Sequence, residues 1–125
     1  MKQLFLALLG FFFAQNSFSA NVSEMSQKQL LSQAKSAETL ILDVRTPKEF
    51  AQGHVPGAVN ISHSVLEQRL TEIAAKKDKP VVVYCKSGVR AGIALKILEK
   101  HHFTDLHHLS GDMLGWEKAQ LKIEK

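Results

Sequence analysis

Beyond its first twenty residues the chain alternates short apolar runs of β-forming residues with segments whose apolar positions recur every three or four residues. Ser26-Gln27-Lys28-Gln29 supplies a helix-capping serine and a glutamine three residues on, and Leu30, Leu31 and Ala34 give the helix that follows an apolar stripe. Thr39 to Val44 reads as a buried strand. Thr46-Pro47-Lys48-Glu49 repeats the capping pattern with proline at the first helical position, so a short helix starts directly after Arg45 and ends at Gly53. Pro56-Gly57 marks a turn, and Ala58-Val59-Asn60-Ile61 a short strand. Ser64 and Glu67 form a third capping box, opening a helix whose apolar face holds Val65, Leu66, Leu70, Ile73 and Ala74. Lys76-Lys77 complement its negative end before Asp78-Lys79-Pro80 stops it. Val81 to Tyr84 is the central buried strand. Val89, Ile93 and Ile97, with Ala94 and Leu98, put an apolar face on the next helix, while Lys96, Glu99 and Lys100 stay in solvent. Asp105 to Leu109 makes the last strand. Strands separated by helices imply right-handed parallel crossovers, hence a three-layer α/β domain with a central, mainly parallel sheet flanked by helices.

The N-terminus has a different pattern. Met1-Lys2 gives a positive start, Leu4 to Ala14 is almost unbroken apolar sequence, and Asn16-Ser17-Phe18-Ser19-Ala20 is a polar stretch ending in small residues. Residues 1–20 therefore read as a secretory signal peptide, cleaved after Ser19 or Ala20, with one domain over 21–125. The apolar run is well short of the about 20 residues that span a bilayer, so no stable membrane anchor is expected after cleavage. No cysteine follows the run to carry a lipid. The chain is expected to be exported, to a bacterial periplasm.

Composition adds limits. The 125 residues are 45% hydrophobic and 22% charged, which suits an ordinary globular domain, and the formal charge of +4 is scattered along the chain. Lys76-Lys77 and Lys79 are the densest basic group and fit a helix C-terminus, so no nucleic-acid partner is expected. Export normally means an oxidising compartment where cysteines pair, yet this chain has a single cysteine, Cys85. A lone thiol there is either a buried core residue or a reactive group.

Its setting favours reactivity. Cys85 ends the Val81-Val82-Val83-Tyr84 run and begins Cys85-Lys86-Ser87-Gly88-Val89-Arg90, which leads into a helix. A short loop between a strand and a helix N-terminus turns backbone N–H groups toward the loop and stabilises a thiolate. Lys86 and Arg90, with no acid between them, attract a small anionic substrate. Four residues separate Cys85 from Arg90. Such a ring of amides can wrap one sulfur and leave room for one further atom, and Gly88 permits the positive φ or close approach it requires. A phosphatase loop, one residue longer, cradles a tetrahedral phosphate; this loop is too short for that, which disfavours a phosphatase or arsenate reductase.

Three segments resemble the single-domain rhodaneses, and the likeness runs across nearly the whole of 21–125. They are Asp43-Val44-Arg45-Thr46-Pro47-Lys48-Glu49-Phe50 with Gly53-His54-Val55-Pro56-Gly57-Ala58-Val59-Asn60-Ile61; Val83-Tyr84-Cys85-Lys86-Ser87-Gly88-Val89-Arg90; and Phe103 through Leu109 with Gly111 and Trp116. One departure is that Gly111-Asp112 stands where the family usually has two glycines, and aspartate tolerates left-handed geometry better than most residues. The resemblance implies a thiosulfate sulfurtransferase in which Cys85 is the nucleophile and forms a persulfide. Lys86, Ser87, Gly88, Val89 and Arg90 would bind the donor and the terminal sulfur. The implied partners are a small anionic donor, thiosulfate or a polysulfide, and a thiol or cyanide acceptor, with no metal or organic cofactor. The alternative is a persulfide carrier that delivers sulfur to a protein partner without appreciable turnover.

Several residues have plainer readings. Asp43 and Arg45 at a strand end suit loop scaffolding better than acid–base catalysis. Arg90 could bridge the loop to a carboxylate such as Asp43. His54 precedes a turn and fits hydrogen bonding within the scaffold better than a general base. His107 and His108, adjacent on a strand, point to opposite faces and do not readily share a metal ion; His101-His102 suit a helix C-terminus. Trp116 reads as core. Asn21-Val22-Ser23 and Asn60-Ile61-Ser62 fit a glycosylation pattern that bacterial export makes irrelevant.

Overall fold

The computed structural model describes residues 22–125. The signal-peptide expectation, residues 1–20, and Asn21 lie outside the described residues. In chain order the elements are β1 (Val22–Met25), α1 (Gln27–Gln33), β2 (Leu40–Asp43), α2 (Pro47–Gln52), β3 (Val59–Asn60), a 3₁₀ segment (Leu66–Lys76), β4 (Val81–Tyr84), α3 (Val89–Lys100), β5 (Leu106–Leu109) and α4 (Asp112–Lys118). The five strands form one sheet in the order β1-β5-β4-β2-β3, every neighbour pair parallel.

Strands β2 and β4 are buried along their whole length, as strands covered on both faces must be. The pleat divides their side chains. Val81, Val83 and Cys85 join Leu42, Leu95, Leu98, Phe103 and Leu106 on one side, whereas Val82 and Tyr84 join Ile41, Leu109, Met113 and Trp116 on the other. These two apolar layers are what make the domain three-layered. Trp116 is buried, as expected, and its indole N–H donates to the Lys122 carbonyl at 2.8 Å.

Local signals set the first two helices. Ser26 caps α1 and Thr46 caps α2, each with the reciprocal bond from Gln29 or Glu49, and Pro47 opens α2.

Three elements differ from expectation. The Ser64/Glu67 capping box does not form: the 3₁₀ segment begins at Leu66 with no side-chain cap, and the Glu67 carboxylate instead meets His101 and Lys100. With about three residues per turn and a break at Ile73, only part of the expected face turns inward. Leu66 and Ile73 are buried and Leu70 packs beside them, but Val65 and Ala74 are exposed. In α3 the buried stripe is Ala91, Ala94, Leu95 and Leu98, while Val89 and Ile93 face solvent. Small residues at 91 and 94 let α3 sit close on the sheet, which turns the two larger side chains out. Finally, β1 is an edge strand that the sequence did not announce. Its Ser23 and Glu24 are exposed, and it is held by register with β5.

Candidate active site

Cys85 is the first residue past the carboxyl end of the central strand β4 and is 1% exposed. The chain turns at once into α3. Gly88, at φ 118, lies in a region that side chains rarely adopt, and this turns its N–H back onto the Cys85 sulfur, N to Sγ 3.0 Å. The Gly88 carbonyl then accepts from Gly92 N–H at 3.0 Å and starts the helix. The first N–H groups of α3, at the end of a twelve-residue helix, have no carbonyl one turn back within it, so the sulfur sits at the positive end of a helix dipole.

The other side of the loop rests on α4. Met113 N–H donates to the Cys85 carbonyl at 2.9 Å and Leu114 N–H to the Lys86 carbonyl at 3.1 Å, while Cys85 N–H donates to Asp112 Oδ1 at 3.1 Å. The Gly111-Asp112 turn has φ 83 and 54, left-handed at both residues, so the aspartate keeps the geometry that a second glycine would give.

The six residues Cys85 to Arg90 therefore share one loop, but they do not present the same chemistry to it. Lys86, Ser87 and Val89 are exposed, and Val89 is 74% exposed. Arg90 is half-buried and held away from Asp43: its guanidinium makes a bidentate pair with Glu49, 2.6 and 3.1 Å. The sequence expectation had named the wrong carboxylate. Glu49 is also the capping residue of α2, so the pair ties α2 to the sulfur loop. The bonds to Arg90, aided by those from Thr46 against a modest burial cost, hold the Glu49 carboxyl at about 2, and Glu49 in turn raises Arg90.

Asp43 and Arg45 form a scaffold beneath. Arg45 donates through its peptide N–H, Nε and Nη2 to the Asp43 carboxylate, the shortest contact being 2.7 Å, and Nη2 also reaches the Gly53 carbonyl at 2.8 Å. Tyr84 donates its hydroxyl to Asp43 at 2.7 Å and accepts from Val55 N–H at 3.1 Å. Burial, then the Asp43 carboxylate, pushes the Tyr84 phenol up. Burial pulls the Arg45 guanidinium down, but its bonds to Asp43 outweigh this and raise it. These buried bonds cross-link β2, the turn after it, the end of α2 and β4, which suits a fixed floor.

A cavity of about 160 Å³ opens beside the loop, lined by Arg45, Glu49, Gln52, Gly53, Lys86, Met113 and Glu117. Lys86 is thus on its wall. His54 faces elsewhere: it stacks on Phe50 with ring centroids 3.6 Å apart, and its Nδ1 lies 2.8 Å from the Phe50 carbonyl. His107 meets Ser23 and Asp105, whereas His108 meets Glu24 and Asp112. Glu49 was absent from the candidate residues, and Asp112 had been read only as a turn. Both lie far from Cys85 in sequence, where spacing carries no signal.

Residues 26–119, which hold the parallel strands β2 to β5 and the cysteine-to-arginine loop, match the family model of the rhodanese-like domain. The chain belongs to the rhodanese-like family. This rhodanese-like domain is 42% identical over 85 residues to the uncharacterized protein YqhL of Bacillus subtilis, covering 68% of this chain and 65% of that protein. It is 33% identical over 103 residues to a sulfurtransferase of Allochromatium vinosum, covering 82% of this chain and 94% of that one. Among solved structures, the human single-domain sulfurtransferase TSTD1 superposes with a TM-score of 0.67 at 28% identity, over 76% of this chain and 95% of that one. Among the described residues of the rhodanese-like domain, no helix is long and apolar enough to cross a membrane.

Proposed function

We propose that this rhodanese-like domain transfers sulfane sulfur from thiosulfate, or a similar small anionic donor, to a thiol or cyanide through a persulfide on Cys85. The observation that carries this reading is the Gly88 N–H on the Cys85 sulfur, at the end of a buried strand and the start of α3. In the first half-reaction the Cys85 thiolate attacks the outer sulfur of thiosulfate. A new S–S bond forms, the sulfur–sulfur bond of the donor breaks, and sulfite leaves with the bonding pair. In the second, the acceptor attacks the terminal sulfur and the Cys85 thiolate is the leaving group. Electrons balance without a redox partner, since each step exchanges one bond at sulfur for another.

The loop amides and the α3 dipole favour the anionic sulfur in both states. Lys86, exposed on the cavity wall, supplies the positive charge that gathers the donor, because Arg90 is already paired with Glu49. Lys86→Ala should therefore raise KM for thiosulfate about tenfold, about 1.4 kcal/mol, with kcat little changed. An unchanged KM would take Lys86 out of the donor site.

Steady multiple turnover in a thiosulfate:cyanide assay supports the enzyme. Stoichiometric loading of Cys85 with negligible turnover would assign the domain to the carrier reading instead. The charged start, apolar run and small-residue end of residues 1–20 support placing this chemistry outside the cytoplasm, in a bacterial periplasm.

A further inference from the structure

Asp112 is a carboxylate 2% exposed, set at the first position of α4, and sulfur transfer as described above assigns it nothing to do. Its contacts all face the sulfur loop or β5. Oδ1 accepts the Cys85 peptide N–H at 3.1 Å, and both oxygens lie within 3.1 Å of His108 Nε2. Gly88 is pressed against the same group: a Cβ there would stand 3.2 Å from Asp112 Oδ2 and 3.9 Å from His108 Nε2. On its far side the His108 ring reaches Glu24 of β1, Nδ1 to Oε2 2.7 Å, and Glu24 is steadied by the Ser110 hydroxyl at 2.8 Å. A continuous chain of bonds thus runs from the edge strand through β5 and α4 to the peptide of Cys85.

Two physical facts give this chain a role. A buried negative charge one peptide group from Cys85 opposes a sulfur anion at that residue. An ionised carboxylate only accepts hydrogen bonds, so an imidazole placed between two of them by both ring nitrogens carries two protons and a positive charge. We propose that Asp112 and His108 are a positioning pair for the sulfur loop, in which Asp112 fixes the Cys85 backbone and the His108 imidazolium neutralises Asp112 so that the sulfur anion forms unopposed. The inference rests on Cys85 being the sulfur-bearing residue of the proposed reaction.

The groups that face His108 support this. β1 presents Glu24, α4 presents Asp112, and β4 sets Val83 beside it in register, so the charged neighbours from these elements are acidic. Glu24 is half exposed and its charge is screened by water, whereas Asp112 is not. The bond to Asp112 is the largest influence on His108. With Glu24 it outweighs burial and pushes the imidazole up to about 9, so the charge is present throughout neutral pH and is lost above that value.

The test uses the full chain and the second-order rate of Cys85 alkylation by iodoacetamide at pH 7. His108→Gln should slow alkylation about tenfold, because it strips the counter-charge from Asp112. Adding Asp112→Asn, which keeps an amide oxygen for the Cys85 N–H and tolerates left-handed backbone, should bring the double variant back to within about twofold of wild type. A purely structural role would make the double variant slower than either single one. His108→Gln alkylating at the wild-type rate, or a double variant with no recovery, overturns the proposal. An NMR titration of the His108 ring in the wild-type protein guards against variants that do not fold. A midpoint near 9 that drops in Asp112→Asn is expected, and a wild-type midpoint near the ordinary 6.5 overturns the proposal. Neither readout uses a sulfur donor, so absent thiosulfate turnover would overturn the proposed function while leaving this pair standing.

Discussion

Cys85→Ser is expected to lower thiosulfate:cyanide turnover by at least about four powers of ten, about 5.5 kcal/mol of transition-state stabilisation, while the protein stays folded. The loss is chemical. A serine hydroxyl is not ionised by a helix end and the Gly88 amide near neutral pH, and its oxygen is a poor nucleophile toward sulfur compared with a thiolate. The structure, by contrast, can accommodate the change: serine is slightly smaller, and its hydroxyl can accept the Gly88 N–H that now reaches the sulfur at 3.0 Å. Circular dichroism and thermal unfolding of the variant should therefore lie near those of wild type. Turnover within about tenfold of wild type in Cys85→Ser would remove Cys85 from the reaction.

The largest expected effect on stability lies one layer below. Asp43→Ala should cost about 3–5 kcal/mol, because it breaks a buried ion pair by deleting one partner. Asp43 is fully buried and Arg45 is 5% exposed, so the guanidinium would lose its paired counter-charge with little water to replace it. The Tyr84 hydroxyl, also buried, would lose the acceptor 2.7 Å away. For a domain of this size the loss corresponds to a fall in Tm of roughly 15–30 °C. Asp43→Asn keeps an acceptor for Tyr84 and should fall between the two. Since Arg45 also holds the Gly53 carbonyl, activity should decline with the unfolding curve, not ahead of it. A Tm within a few degrees of wild type in Asp43→Ala would contradict the scaffold assigned to this network.

How much of this was legible in the sequence depended on distance along the chain. Caps at Ser26 and Thr46 act over three residues, and both form as read. β2 and β4 were legible because a strand buried on both faces is apolar at every position. The Ser64/Glu67 box has the same local spelling and fails, since the carboxylate finds His101 and Lys100 across the fold. In α3 the expected face of Val89, Ile93, Ile97, Ala94 and Leu98 holds at Ala94 and Leu98, with Ile97 packed beside the core, and fails at Val89 and Ile93. Close helix–sheet packing buries Ala91 and Leu95 in their place, a preference that only the tertiary arrangement sets.

The site divides the same way. Cys85, Gly88 and the turn between them are one local unit, and the bond from Gly88 N–H to the sulfur is what the short loop and its glycine implied. Asp43 and Arg45, two residues apart and read as scaffolding, pair with each other in the structure. The partner of Arg90 was not legible, because Glu49 is 41 residues away and spacing does not separate it from Asp43. Asp112 was legible only as an irregular turn. What it touches, the Cys85 peptide and His108, depends on α4 docking against the loop.

The most direct measurement of the central claim is mass spectrometry of the full chain after incubation with thiosulfate, read on the peptide that contains Cys85. The account predicts a gain of one sulfur atom on Cys85, removed again by cyanide and absent from Cys85→Ser. A folded wild-type protein whose Cys85 peptide stays unmodified under these conditions would contradict it.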